Sequence, residues 1–208
     1  MTIELHRGDL PAGLKLGPMV AVDTETMGLN PVRDRLCLVQ LSQGGGICHL
    51  VQIPRPAAGQ RAAAPNLKAV LEDRSVLKLF HFARFDLSAL KVNLDIDCAP
   101  VYCTKIAAKM VRTFTDRHGL KDLCRELLGI DLSKQQQSSD WGADKISEAQ
   151  MEYAASDVLY LHDIKRHLDR MLRREGRLEL AETCFRFLPT RIELDLMGWD
   201  EEDIFAHS

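Results

Sequence analysis

The chain has 208 residues, of which 46% are hydrophobic and 27% charged, and this composition excludes a wholly disordered or fibrous protein. Its length predicts a single domain over residues 1–208, with a core at about 19–176 and a C-terminal helical tail at 177–208. No apolar run approaches the ~18 residues that span a membrane, and the N-terminus lacks a signal-peptide pattern. We therefore expect a cytoplasmic protein with no membrane partner.

The formal charge of −3 argues at first against a partner as anionic as nucleic acid. Two bound divalent cations would reverse that sign, to about +1. The objection therefore depends on where the acidic residues lie. The six cysteines contain no C-x-x-C pair, so we expect reduced, mostly buried thiols rather than a zinc knuckle or a disulfide framework.

Three short apolar runs, at 19–23, 36–42 and 47–53, are joined by segments rich in glycine, asparagine and proline. This pattern predicts an antiparallel meander of three strands. Residues 54–65 hold three of the eight prolines and show no hydrophobic periodicity, so they are predicted to form a loop.

Two more strands and several helices follow along the chain. Ser147 and Gln150 form a capping-box pattern at the start of the strongest helical signal, and a turn is expected at Pro189. Strands are predicted at 76–82 and 101–103, and helices at 65–73, 83–92, 104–112, 119–129, 147–174 and 178–187. The result is an α/β fold with a mixed five-stranded sheet flanked by helices, an element order similar to that of the ribonuclease H-like fold.

Four acidic residues and one tyrosine occupy positions from which they can converge. Asp23 and Glu25 close the first strand two residues apart, so both carboxylates face the same side. Asp86 lies near the start of the helix after the fourth strand. Tyr153 and Asp157 lie one turn apart on a helix.

Clustered carboxylates repel one another unless cations neutralise them, and their hard oxygen ligands favour Mg²⁺ or Mn²⁺. Two such ions ~3.5–4 Å apart can activate a water molecule and stabilise the leaving oxygen of a phosphodiester. A tyrosine beside them can hold that water or help to deprotonate it. Each residue taken alone is better explained as a cap, a surface acid or a core ring. Their combination predicts nuclease chemistry.

The segments VAVDTETMGL, FHFARFDLSAL and YAASDVLYL resemble the three motifs of the DEDD exonuclease superfamily. The resemblance is to its tyrosine-bearing branch, the ribonuclease D-like 3′-to-5′ exonucleases, and with KQQQSSDW it covers roughly residues 19–172. It implies release of 5′-mononucleotides, with Tyr153 orienting the attacking water. It also implies two Mg²⁺ or Mn²⁺ ions bound by Asp23, Glu25, Asp86 and Asp157. Many members carry asparagine where this chain has Phe82, which leaves the metal ligands unchanged but affects a local substrate contact.

The chain size, HRGDL, TDRHGLK and the C-terminal FLPTRIELDLMGWDEEDIFAHS resemble the nanoRNase C group. That resemblance implies a homo-octameric oligoribonuclease acting on very short RNAs, including dinucleotides. It also makes Leu29, and more weakly Met27, a candidate to insert between two bases, although Leu29 packed on the sheet is an equal alternative. His81 and Arg84 flank Asp86 and are candidates for phosphate contact, with a structural role as the alternative for His81.

Other functions fit the same residues. The chain could trim longer structured RNA in the manner of ribonuclease D, or it could be a DNA 3′-to-5′ exonuclease. A binding scaffold that has lost catalysis is the alternative outside enzymes, and the presence of all five catalytic residue types counts against it.

Overall fold

The computed structural model describes residues 1–133, 135–136 and 138–207. Within these ranges the strands are β1 (Thr2–Arg7), β2 (Met19–Thr26), β3 (Leu36–Gly44), β4 (Ile47–Gln52), β5 (Leu77–Phe80) and β6 (Val101–Cys103). They form one sheet in the order β1-β4-β3-β2-β5-β6. The predicted antiparallel meander is β2-β3-β4, whereas β5 and β6 are parallel to β2, and β1 is parallel to β4.

The ribonuclease H-like mixed sheet is confirmed, but it has six strands rather than the five predicted. The additional strand is β1, whose residues pair with Ile47–Gln52 at the edge of the sheet. Its apolar Ile3 and Leu5 alternate with polar neighbours, which is a strand pattern. Because β1 is an edge strand with mostly exposed side chains, that pattern is short and weak.

Helices pack on both faces of the sheet. Their bounds are α1 (Pro65–Glu72), α2 (Ala83–Leu94), α3 (Thr104–Val111), α4 (Leu120–Leu123), α5 (Glu148–Leu159), α6 (Leu161–Arg174) and α7 (Leu178–Leu194). Single π-helical segments, Cys124–Leu128 and Asp195–Trp199, extend α4 and α7. Of the described helices, none has the length and apolar character needed to cross a membrane.

The predicted helix over 147–174 is divided in two. Tyr160, with φ of −104° and ψ of −3°, ends α5 and precedes α6. The break redirects the chain, because α5 packs on β2, β3 and β4 whereas α6 packs on α3 and β5. Hydrophobic periodicity runs through the junction and does not reveal it.

The predicted turn at Pro189 is wrong, because α7 continues through that residue to Leu194. Proline removes one backbone donor from a helix. Here the buried side chains of Phe185, Leu188 and Ile192 hold α7 against the core on both sides of the proline. Tertiary packing therefore overrides the local preference.

Candidate active site

Two acidic side chains lie near the end of the central strand β2. Asp23 pairs with Gln40 of β3, and Glu25 pairs with Leu38. Because side chains alternate along a strand, Asp23 and Glu25 project from one face of the sheet and Thr24 from the other. The register shifts directly after Glu25, so both carboxylates lie where β2 begins to leave the sheet.

Helix α5 supplies the remaining two side chains of this face. The predicted capping box is present: the Gln150 amide donates to Ser147 Oγ at 3.2 Å, and the Ser147 amide donates to Gln150 Oε1 at 3.0 Å. This cap fixes the start of the helix, and Tyr153 and Asp157 follow one turn apart. Since α5 packs across β2 and β3, it brings both side chains to the β2 carboxylates.

Three of the four predicted carboxylates meet closely. Oxygen atoms of Asp23, Glu25 and Asp157 all lie within 4.8 Å of one another. Asp86 is not part of this group; it is only 3% exposed, and its Oδ1 accepts a hydrogen bond from Thr24 Oγ1 at 2.7 Å. It is nevertheless close enough for its charge to act on Asp23 and Glu25.

Burial and mutual repulsion favour the protonated form of these groups. Burial raises the pKa of Glu25 to about 9, and the charges of Asp157 and Asp86 add to the shift. Burial likewise raises the pKa of Asp86 and of Asp157 to about 7. The pKa of Asp23 is raised well above its usual range, first by burial and then by Asp86 and Asp157. Such a cluster needs positive charge to stay ionised at neutral pH.

Within the described ranges, no lysine, arginine or histidine forms an ion pair with Asp23, Glu25, Asp86 or Asp157. The donors are all carboxylate oxygens, and hard divalent cations prefer oxygen ligands. Unneutralised charge and an oxygen-only donor set therefore fit a divalent metal ion.

The phenol of Tyr153 lies against the same carboxylates. Burial raises its pKa, and the negative charge of Asp157 adds to the shift, so the hydroxyl keeps its proton at neutral pH. Its ring packs beside the buried Trp141, with ring centroids 6.1 Å apart. The tyrosine is thus held as a hydrogen-bond donor rather than as a base.

The raised pKa values predict how the stability of the metal-free protein depends on pH. The pKa of the Glu25 carboxyl is near 4.5 in the unfolded state and about 9 in the folded state. The contribution of this group to folding stability is therefore fully present below about pH 4.5, and it is lost as the pH rises towards 9. We expect Glu25→Gln to raise the melting temperature in EDTA by at least about 3 °C at pH 8, and by much less at pH 5. Thermal unfolding at both pH values measures this difference.

The matched control for this prediction is Glu152→Gln, because Glu152 is an exposed glutamate on α5, the helix that carries Tyr153 and Asp157. We expect it to leave the melting temperature unchanged at both pH values. An equal gain from Glu25→Gln at pH 5 and pH 8 would contradict a charge-based cause. Excess Mg²⁺ should remove most of the difference in melting temperature between the unsubstituted protein and Glu25→Gln at pH 8.

A surface loop after β2 carries the two candidates for base contact. Leu29 is 87% exposed and Met27 is 52% exposed, so the alternative of Leu29 packed on the sheet is wrong. The Asn30 amide donates to Asp34 Oδ2 at 3.0 Å, and a Cβ added to Gly28 would collide with the same carboxylate. The loop is thus held by its own hydrogen bond between Asn30 and Asp34, while the Leu29 side chain is exposed to solvent.

His81 is held by hydrogen bonds to its own surroundings. Thr104 Oγ1 donates to the Phe80 carbonyl at 3.1 Å, so the contact of 2.9 Å between His81 Nδ1 and Thr104 Oγ1 requires a proton on Nδ1. Burial, helped by the charge of Lys105, lowers the pKa of His81 to about 3. The ring is therefore neutral, and phosphate contact by His81 stays a prediction.

Arg84 is engaged by the C-terminal segment. Its Nε and Nη2 donate to the two carboxylate oxygens of Asp195 at 2.6 and 2.8 Å, and Nη2 also donates to the Asp200 carbonyl at 2.6 Å. This bidentate pair attaches the end of α7 to the start of α2. Contact between Arg84 and substrate stays a prediction, and it would compete with this attachment.

Phe82 precedes α2 in a left-handed backbone conformation, with φ of 72°. Asparagine adopts this conformation more readily than phenylalanine, so Phe82 occupies a backbone position at which asparagine would be less strained. The Phe82 ring is half exposed and lies under the Lys105 ammonium group, 4.2 Å from its centroid.

Two polar residues that support the carboxylates were missed by the sequence analysis. Thr24 donates to Asp86, and Gln40 Nε2 donates to Asp23 Oδ2 at 3.3 Å. Gln40 is a fully buried amide with apolar neighbours at 36–39 and 41, and that is a signal the sequence carries. Thr24 gives no such signal, because threonine is common in strands.

Comparisons with known proteins agree with this geometry. Residues 9–173 match a family model described as a 3′-5′ exonuclease. Ribonuclease D of Gluconacetobacter diazotrophicus is 37% identical over 166 residues, which are 80% of this chain and 41% of that protein. The chain thus spans about two fifths of the length of the curated ribonuclease D proteins it matches.

Two solved structures match along the full length of both chains, each with a TM-score of 0.93. One is Brucella melitensis NrnC with bound Mg²⁺, at 57% identity, and the other is the same protein bound to pGG, at 58% identity.

The mixed sheet and the carboxylate cluster are those of a 3′-to-5′ exonuclease that uses divalent metal. The chain belongs to the ribonuclease D-like DEDD exonucleases. Within them it falls in the nanoRNase C group, which includes the matched Brucella NrnC. The predicted family and enzyme class are thereby confirmed.

Proposed function

We propose that this exonuclease degrades very short RNAs, including dinucleotides, to 5′-mononucleotides. The observation that carries the proposal is the full-length similarity, at 58% identity, to an NrnC bound to pGG. The small exposed loop around Leu29 supports it, because a short substrate needs only a wedge and a clamp beside the carboxylates.

In this proposal Asp23, Glu25, Asp86 and Asp157 hold two Mg²⁺ or Mn²⁺ ions. Bound there, the ions would supply an activated water and stabilise the leaving 3′-oxygen. Thr24 fixes the orientation of Asp86, and Gln40 does the same for Asp23.

Tyr153 would orient the attacking water. Its hydroxyl keeps a proton at neutral pH, so it can donate one hydrogen bond and accept another. Two contacts at one oxygen fix the position of a small nucleophile better than one contact does.

Leu29 would insert between the two bases of the substrate, with Met27 at the base of the same loop. We expect Leu29→Ala to raise KM for a dinucleotide about tenfold, since roughly three buried carbons are lost. The melting temperature should not change, because Leu29 is exposed. Steady-state kinetics on a dinucleotide measures KM and kcat separately.

Val32→Ala is the matched control for Leu29→Ala, since Val32 is 69% exposed on the same loop. It should leave KM unchanged. Equal effects of the two substitutions, or none from either, would argue that Leu29 does not contact the bases.

Substrate length is tested by a time course with excess Mg²⁺ on 5′-labelled RNAs of two, seven and twenty nucleotides. Rapid loss of the dinucleotide that EDTA prevents supports the proposal. Accumulation of dinucleotide from the longer RNAs would favour ribonuclease D-type trimming instead. If only DNA of the same lengths is cleaved, the enzyme is a DNA exonuclease, and if neither is cleaved, the inactive scaffold is favoured.

We also propose a homo-oligomer, an octamer by resemblance to the group. Large hydrophobic side chains are exposed around the C-terminal segment, which supports subunit contact there. They are Phe187, Met197, Trp199, Ile204 and Phe205. Light scattering coupled to size-exclusion chromatography gives the subunit number. The predicted cytoplasmic location and the single-domain organisation stay predictions.

A further inference from the structure

A second cluster of metal-ligating side chains lies at the edge of the sheet. It consists of Glu4, His6 and His49, and we call it the β1–β4 cluster. Glu4 and His6 are two residues apart on β1, and His49 lies opposite Glu4 on β4. His6 Nε2 is 3.1 Å from His49 Nδ1, and Glu4 Oε2 is 3.4 Å from His49 Nδ1 and 3.9 Å from His6 Nε2.

These three separations, 3.1, 3.4 and 3.9 Å, bracket those expected around a single ion. Ligand atoms at 2.0–2.2 Å from a tetrahedral Zn²⁺ are roughly 3.3–3.6 Å apart. One point about 2 Å from all three atoms of the β1–β4 cluster is compatible with their separations, and a water can take the fourth position. His49 is buried, whereas Glu4 is half exposed, so one side of this point is open to solvent.

The β1–β4 cluster is separate from the carboxylates of the active site. Across the sheet Thr24 pairs with Val39, Val39 with Val51, and Val51 with His6. Paired residues project to the same side, so His6 shares the face of Thr24, opposite to that of Asp23. Since neighbouring strands are about 4.8 Å apart, β4 lies roughly 10 Å from β2.

We propose that Glu4, His6 and His49 bind one zinc-class transition metal ion that fastens the edge strand β1 to β4. Two imidazoles and one carboxylate suit Zn²⁺, whereas the carboxylate-only active site suits Mg²⁺ or Mn²⁺. The ion would add a cross-link to a strand that pairs on one side only.

The alternative arrangement is a hydrogen bond between the two imidazoles, in which a proton occupies the position of the ion. That arrangement satisfies His6 and His49 without an ion, and if it is the only role of the β1–β4 cluster, we expect no zinc to bind there at stoichiometric level. Metal binding therefore separates the two explanations directly.

The test is equilibrium dialysis of the intact protein against Zn²⁺ in excess Mg²⁺, in an Asp23→Asn background that weakens the carboxylate site. We expect about one Zn²⁺ per chain. Adding His6→Gln should abolish this binding, and adding Glu4→Gln should raise the Zn²⁺ Kd at least about tenfold, because even residues that only orient a ligand contribute 10–100-fold. Both side chains are partly exposed, so both variants should fold.

His207→Gln is the matched control, since His207 is exposed in the C-terminal segment, and it should keep the full zinc content. Absence of zinc in the Asp23→Asn protein, or unchanged zinc after His6→Gln, would overturn the site. Hydrogen exchange tests the cross-link: Zn²⁺ should slow exchange of the β1 amides at least about tenfold, and not after His6→Gln. Zinc binding without this protection would overturn the structural role.

Discussion

Replacing Asp23 with asparagine is expected to reduce kcat at least roughly a thousandfold while leaving the fold intact. The carboxylate lies within 4.8 Å of Glu25 and Asp157, so its loss would remove one oxygen ligand from the proposed metal site. Gln40 Nε2 can still donate to the asparagine oxygen, and one repelling charge is gone. The metal-free variant should therefore melt at the same temperature as the unsubstituted protein or higher.

Single-turnover cleavage of a dinucleotide in saturating Mg²⁺ measures the loss, and thermal unfolding in EDTA measures the stability. Glu152→Gln removes one negative charge from α5 at an exposed position and should retain full activity. If the Asp23→Asn protein cleaves the dinucleotide at a near-normal rate, the assignment of this carboxylate to the metal site is refuted. A strongly lowered melting temperature would instead give Asp23 a structural role.

The sequence predicted the parts of the site that follow from local geometry. The two-residue spacing of Asp23 and Glu25 determines a common face on any strand, and the four-residue spacing of Tyr153 and Asp157 determines a common face on any helix. The capping box at Ser147 fixed the register of that helix. These relations hold before any tertiary contact forms.

The remaining features depend on contacts between distant residues. The hydrogen bond from Thr24 to Asp86 joins residues 62 positions apart, and the pair of Arg84 and Asp195 joins residues 111 apart. Sequence patterns identified Arg84 as a charge beside Asp86 but not its partner. In the same way, the edge strand β1 becomes recognisable as a strand only when β4 lies beside it.

The second substitution from which we expect a large effect is Tyr153→Phe, which should lower kcat. It removes one hydroxyl from beside the carboxylates and keeps the ring that packs against Trp141. A positioned proton donor or acceptor contributes about 10²–10⁴-fold, so kcat should fall by roughly 10²–10³-fold. Mg²⁺ affinity should be unchanged, because the four carboxylates remain.

Isothermal titration with Mg²⁺ and dinucleotide kinetics from pH 6 to 9 separate the possible roles of this hydroxyl. The pKa of Tyr153 is raised by burial and by Asp157, so an orienting phenol gives the variant a pH profile of the same shape at a lower level. A variant that loses a basic limb of the profile would instead identify the phenol as the titrating base. Tyr160→Phe, which removes a partly buried phenol at the end of the same helix, should change neither kcat nor Mg²⁺ affinity. Loss of Mg²⁺ binding in Tyr153→Phe would show that the hydroxyl supports the carboxylates themselves, because only then does its removal alter the metal site.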